Sequence, residues 1–160
     1  MDNFSCQSTS YSLYRPVYPE SLYKFLSTCT PSNKLAVDIA TGNGQSAINL
    51  SKYFENVIAI DSSKSQLENA ITASNIKYVL EKAEDKSTVI KDSSVDIITV
   101  AQAIHFFDIP KFCEKARNLL KKNGILIAWS YTYPQCEMID IDNYISDLYY
   151  NKLALFWEKE

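Results

Sequence analysis

Apolar residues along this chain keep two different rhythms. Short, nearly continuous apolar runs at 35–40, 56–61, 76–80, 95–101 and 125–129 read as strands. Between them apolar positions return every three or four residues, the spacing of one helix face. A helix is expected at 20–27 behind Pro19, with Leu22, Phe25 and Leu26 on one side, and Pro31-Ser32-Asn33 breaks it. A second is expected at 45–54, turning Ala47, Ile48 and Leu50 inward. A third, at 64–72, is capped by Ser62-Ser63 and carries Leu67, Ala70 and Ile71. The helix expected at 109–120 closes on Asn123-Gly124 in a left-handed cap. The run 95–101 is apolar almost throughout, which suits a strand buried on both faces. Residues 82–94 are charged and read as loop or a short helix.

Strands alternating with helices predict an α/β protein with a doubly wound, mostly parallel, Rossmann-like sheet and helices on both faces. Right-handed crossovers force that winding. The main domain is expected over 11–133, preceded by a polar, mobile segment at 1–10 and followed by a helical extension at 134–160. In the extension Ile141, Tyr144, Ile145 and Leu148 recur at helical spacing, so 140–157 reads as an amphipathic helix.

Composition narrows the function classes. The chain has 160 residues, 46% hydrophobic and 22% charged, enough for one ordinary core. A formal net charge of −3 offers no basic footprint for nucleic acid or for an anionic membrane surface. No cationic-then-apolar leader opens the sequence, and no apolar run nears the ~20 residues of a membrane span. Cys6, Cys29, Cys113 and Cys136 are scattered without a Cys-x-x-Cys pair, so reduced thiols and a cytoplasmic location are expected. With a single histidine, no metal site is expected.

Only three glycines occur, and two stand two apart in Val37-Asp38-Ile39-Ala40-Thr41-Gly42-Asn43-Gly44-Gln45-Ser46. Such a pair marks a backbone bend that side chains would block. Strand, glycine turn and helix together form a cradle for nucleotide-like ligands. In an open parallel sheet ligands bind at the carboxyl ends of strands where the strand order reverses, here the end of the first strand beside the second and fourth. Gly42 and Gly44 would let the backbone approach a ligand. Asp61 ends the second strand, where a carboxylate can accept both ribose hydroxyls. Asp38 stands just before the turn, where it can hold the turn or meet an ammonium group through water. Plainer readings compete: Gly-x-Gly alone is a weak signal, and an aspartate before Ser62-Ser63 can be only a helix cap. The combination, in this order and at these strand ends, carries the ligand reading. Gly42-Asn43-Gly44-Gln45-Ser46-Ala47 also fits the dinucleotide pattern Gly-x-Gly-x-x-Ala, which keeps NAD open as a rival. Asp38 would repel a pyrophosphate but suits a cationic amino group, and Ala83-Glu84-Asp85 can meet an adenine amino group; both favour S-adenosylmethionine.

Five segments carry a family resemblance: Val37-Asp38-Ile39-Ala40-Thr41-Gly42-Asn43-Gly44, Val57-Ile58-Ala59-Ile60-Asp61, Val95-Asp96-Ile97-Ile98-Thr99-Val100, Ala101-Gln102-Ala103-Ile104-His105-Phe106-Phe107-Asp108 and Tyr14-Arg15-Pro16-Val17-Tyr18-Pro19. With them the chain resembles class I S-adenosylmethionine-dependent methyltransferases, and more narrowly the small-molecule branch that includes trans-aconitate methyltransferase-like proteins. Phe106 stands where that branch usually has tryptophan, and Ala40 where it often has glycine. The resemblance implies S-adenosylmethionine as cofactor and S-adenosylhomocysteine as its product. It places Asp38, Ala40, Gly42 and Gly44 along the methionine part, Asp61 and Ser62 at the ribose, Ala83 and Glu84 beside adenine, and Gln102 and Ala103 near the sulfonium. Tyr14 and Arg15 would fold over the cofactor, or serve only as a packing aromatic and a surface cation. His105 is the candidate catalytic group, although a histidine beside Phe106 and Phe107 also reads as a packed, hydrogen-bonded residue. Tyr11, Tyr131 and Tyr133 are candidates for pocket lining.

Two more strands normally follow the fifth in this family. Here the residues after Trp129 read as helix, and Leu155-Phe156-Trp157-Glu158 resembles a mid-chain segment of longer relatives. A truncated sheet lacking its final two strands is therefore expected, with the fifth strand an exposed edge open to homodimer pairing. Three functions remain in play. The first is a methyltransferase acting on a small-molecule acceptor, by resemblance a carboxylic acid giving a methyl ester. The second is a truncated, catalytically inactive module that binds cofactor or associates. The third is an NAD-dependent oxidoreductase.

Overall fold

Five apolar runs pair into one parallel sheet. The computed structural model describes residues 16–131 and 134–156. Its strands are β1 (Leu35–Ile39), β2 (Asn56–Asp61), β3 (Ile76–Leu80), β4 (Val95–Ala101) and β5 (Leu120–Trp129). They lie in the order β3-β2-β1-β4-β5, every pairing parallel. The helices are α1 (Glu20–Thr28), α2 (Gln45–Leu50), α3 (Lys64–Glu68), α4 (Ile109–Leu119) and α5 (Ile139–Asp147). This is the doubly wound, Rossmann-like arrangement that the sequence predicts, and β3 and β5 are its edges among the described residues.

Side chains alternate across each strand, so the sheet has two buried faces. Val37, Ile39, Ile98 and Val100 meet Phe112, Ala116 and Leu119 of α4. Ala36, Val57, Ala59 and Ile97 meet Tyr23 and Leu26 of α1 and Ala47 and Leu50 of α2. By the same alternation Asp38 and Thr99 belong to the second face, where they are register partners across β1 and β4. All seven residues of β4 are buried.

Several local expectations are corrected. Phe25 is 61% exposed, and Tyr23 takes the buried place beside Leu26; the apolar stripe of α1 is rotated toward the sheet by about a quarter turn. The helices α2 and α3 stop at Leu50 and Glu68, short of 54 and 72. Ser63 stands at the start of α3 without a side-chain cap bond. Its hydroxyl pairs with that of Ser65, and its amide donates instead to Asp61 Oδ1 at 2.8 Å. Gly124 does not close α4. The helix ends at Leu119, the left-handed residue is Asn123 (φ +67°), and β5 already begins at Leu120. Gly124 is needed for closeness, because a Cβ there would stand 2.9 Å from the carbonyl oxygen of Val95. Residues 82–94 form neither helix nor strand.

Two buried ion pairs tie the loops to this frame. Asp96, at the amino end of β4, accepts from Ser32 Oγ at 2.7 Å, from the amides of Lys34 and Leu35, and from Lys121 Nζ at 2.8 Å. Burial works to raise its pKa, but Lys121, Ser32 and the Leu35 amide outweigh that and hold it below the ordinary value. Lys115 of α4 donates to Glu81 Oε1 at 2.7 Å and to the carbonyl of Lys82, which fixes the segment after β3.

The chain divides after Trp129 into two compact units. In the second, α5 is followed by a π-type turn at Leu148–Lys152 and a 3-10 turn at Ala154–Phe156, a broken version of the helix expected over 140–157. Among the described residues no helix is long and apolar enough to cross a membrane.

Candidate functional site

The strand order reverses between β1 and β4, and the chain is unusual at both strand ends. Ala40, just past β1, has φ +54°, and Gln102, just past β4, has φ +57°. Gly42 and Gly44 follow at +58° and +85°. Left-handed backbone costs an alanine or a glutamine of order 1–2 kcal/mol, and such outliers gather where a fold shapes a site. The Thr41 amide donates to the carbonyl of Ile60, and the Gly44 amide closes the turn onto the carbonyl of Thr41. Gln102 is anchored by its amide to the Trp129 carbonyl at 2.9 Å.

The two glycines meet different surroundings. A Cβ at Gly42 would find nothing nearer than Gln66 Oε1 at 3.8 Å, so its open side can take a ligand. A Cβ at Gly44 would lie 2.0 Å from the phenol oxygen of Tyr78. That phenol donates to the carbonyl of Ile71 at 2.5 Å, and the Ile71 amide donates to the carbonyl of Asn43 in the turn. Gly44 thus admits the protein's own tyrosine.

Asp61 braces the turn. Its Oδ2 accepts from the Gly42 amide at 2.7 Å and its Oδ1 from the Ser63 amide. A carboxylate has about four acceptor positions, so two remain for ligand hydroxyls. Ser62 is exposed beside it.

Asp38 is 1% exposed. Its Oδ2 accepts from Thr41 Oγ1 and its Oδ1 from Thr99 Oγ1, both at 2.6 Å. No ion pair reaches it among the described residues. Burial raises its pKa from 3.8 to about 6, while the hydroxyl bonds from Thr41 and Thr99 pull the other way. Asp38 lines a small hollow open to solvent, together with Ala40, Thr41 and Ala101. Ser46 and Gln45 of α2 close one side and Tyr18 another. Tyr18 meets Trp129 edge to face at 5.4 Å.

The remaining described candidates do not line this hollow. Ala83 is buried in the α4-side core. Glu84 accepts from the Asp108 amide at 3.0 Å, which ties it to the start of α4. Ala103 is buried, and His105 is exposed on the short turn Ile104–Phe106, its ring centre 4.0 Å from that of Phe106. Tyr14 and Arg15, like Tyr11 and Tyr133, lie outside the described residues, and so does the segment 1–10. Tyr131 is described and lies past Trp129, in the second unit. Sequence reasoning missed Thr99, Ser46 and Tyr78. A single hydroxyl in the apolar run of β4, in register with a buried aspartate, was the available signal.

Comparison with known proteins agrees with this geometry. The sequence matches the methyltransferase-domain family over residues 37–128. It is 44% identical over 131 residues to a protein of Dictyostelium discoideum described as a methyltransferase, covering 81% of this chain and 49% of that one. It is 30% identical over 141 residues to a Saccharomyces cerevisiae protein described as an S-adenosylmethionine-dependent methyltransferase, covering 83% and 48%. Among solved structures, one described as a type II methyltransferase from Anaeromyxobacter dehalogenans superposes with a TM-score of 0.83 at 30% identity, over 92% of this chain and 61% of that one. The chain spans about half the length of the curated relatives it matches.

Proposed function

The chain belongs to the methyltransferase-domain family, and on that premise we propose that it binds S-adenosylmethionine at the β1–β4 switch point and transfers the methyl group to a small molecule. One observation carries the reading: a buried carboxylate with no cation paired to it among the described residues, Asp38, lines a hollow bordered by a turn whose Gly42 has open space in front of it. The residues present suit the cofactor's parts. Asp38 suits a cationic amino group, the backbone at Ala40 and Gly42 suits the methionine chain, and the spare acceptor positions of Asp61 suit the ribose hydroxyls. Ser62 borders that ribose position, Ala83 and Glu84 the adenine, and Gln102 and Ala103 the reacting end.

When bound, S-adenosylmethionine supplies an electrophilic methyl group on a sulfonium, ready for displacement without further activation. The protein then has to hold an acceptor in line and exclude water. A carboxylic acid is the favoured acceptor, because it is ionised at neutral pH and needs no base. For an acceptor whose nucleophile carries a proton, His105 on the turn after β4 is the imidazole this chain offers. The NAD reading is not favoured, since Asp38 would face the charge of a pyrophosphate.

Calorimetric titration with S-adenosylmethionine, S-adenosylhomocysteine and NAD tests the cofactor. Binding of the first two is expected; tight NAD binding with no S-adenosylhomocysteine binding would reject the reading. Transfer of a radiolabelled methyl group to a panel of small carboxylic acids then tests the acceptor class. A chain that binds the cofactor and labels none of them would count against a carboxylic acid as the acceptor.

A further inference from the structure

Asp38 and Thr99 stand opposite each other on the two strands whose divergence opens the site. The hydroxyl of Thr99 reaches Asp38 Oδ1 at 2.6 Å, and both residues are buried. β4 is otherwise apolar from Ile97 to Ala101, so this hydroxyl is the only side-chain donor that β4 brings to the carboxylate. Among the described residues, the groups that act on Asp38 from the packed elements are neutral or negative. They are Thr41 in the turn, Ser46 of α2, Tyr23 of α1, Tyr78 of β3 and Asp61 at the end of β2. Tyr23 and Tyr78 are pushed up to about 12, chiefly by burial with the Asp38 charge adding, so both stay protonated across the physiological range. Nothing cationic among these groups holds the carboxylate ionised; hydroxyl donors do.

We propose that Thr99 is a positioning residue of the cofactor site: its hydroxyl keeps the Asp38 carboxylate ionised to receive the cationic amino group of the cofactor. The inference rests on the cofactor assignment above and deepens it. Two consequences follow from the burial of Asp38. Protonation at low pH removes its charge, so cofactor affinity falls as pH drops through about 6. Loss of the Thr99 hydroxyl withdraws a bond made to the charged form and moves that midpoint upward.

The test is calorimetric titration of S-adenosylhomocysteine from pH 5 to pH 8 with wild type, Thr99→Val and Thr99→Ser. Wild type is expected to lose affinity about tenfold per pH unit below its midpoint. Thr99→Val, nearly the same shape without the hydroxyl, is expected to raise the midpoint, weakening binding about tenfold near pH 6.5 and converging on wild type at pH 8. Thr99→Ser should follow wild type. Thr99→Cys, a weak donor of similar volume, should fall between them and serves if Thr99→Val does not fold. A Thr99→Val protein weakened equally at every pH, with the wild-type midpoint, would show a packing role and overturn the proposal. A flat wild-type profile would overturn it too while leaving the cofactor assignment intact. Absence of binding at every pH would remove both.

Discussion

Replacing Gly44 with alanine separates two accounts of the glycine pair. If both glycines only make way for a ligand, Gly44→Ala should harm binding and spare the fold. The structure requires more. At φ +85° an L-residue carries about 1–2 kcal/mol of backbone strain. The new Cβ would stand 2.0 Å from the phenol oxygen of Tyr78 and 3.0 Å from Cζ, so the ring must leave. Its hydrogen bond to Ile71 goes with it, about 1 kcal/mol. Lost packing on the turn adds about 1 kcal/mol for an area near that of one buried methylene. Gly44→Ala is therefore expected to destabilise by roughly 3–4 kcal/mol, the sum of these three terms. Gly42→Ala, with nothing nearer than 3.8 Å, should carry only the strain, about 1–2 kcal/mol. Urea unfolding of both variants, alone and combined with Tyr78→Ala, reads the difference. The loss at Gly44 should shrink by about 2 kcal/mol once the tyrosine is gone, whereas the loss at Gly42 should not change. An equal loss from Gly44→Ala with and without Tyr78 would refute the assignment.

Three further outcomes follow from the same geometry. Asp61→Asn should weaken S-adenosylhomocysteine binding by about 1.5–3 kcal/mol, the range for a hydrogen bond to a charged group, as read by calorimetry; a lowered melting temperature with unchanged affinity would leave Asp61 as a turn brace alone. Ala40→Gly should relieve about 1–2 kcal/mol of left-handed strain against about 0.4–1 kcal/mol of added unfolded-state entropy, so thermal unfolding should show an equal or slightly higher midpoint. Asp96→Ala leaves Lys121 without its carboxylate and should cost about 3–5 kcal/mol at neutral pH. Because the folded pKa of Asp96 lies below the ordinary 3.8, its contribution is present above that value and lost as pH falls through the folded pKa, so the gap between variant and wild type should close in acid.

The sheet was legible because its strands are apolar over their full length, and buried parallel strands need that. What stayed hidden was decided by partners far away in sequence. Residues 64–72 have helical spacing, but the Ile71 amide goes to Asn43 of the glycine turn, and α3 stops at Glu68. Lys121-Lys122-Asn123 gave no strand signal at the start of β5. They lie on an edge strand, where one face can be polar, and Lys121 reaches the buried Asp96. Phe25 outranks Tyr23 in hydrophobicity, yet Tyr23 is enclosed because it faces Trp129, 6.4 Å away and edge to face.

At the site the glycines and aspartates could be read and their partners could not. A motif names the residues that must be small or charged. It does not name Thr99, which matters only because β1 and β4 pair with Asp38 opposite it. At Asp61 the helix-cap expectation gives way to a double brace. Its Oδ1 accepts from the Ser63 amide, ahead of α3 and not as a cap of that helix, and its Oδ2 accepts from the Gly42 amide. Those two bonds leave acceptor positions on both oxygens and fix the carboxylate's orientation before any ligand arrives. A freely rotating carboxylate would lose rotamer entropy on gripping a ribose, whereas this one has lost it on folding. Bracing the two turns is therefore what would make Asp61 a competent ligand group, and in the proposed site structural and functional roles coincide in one side chain.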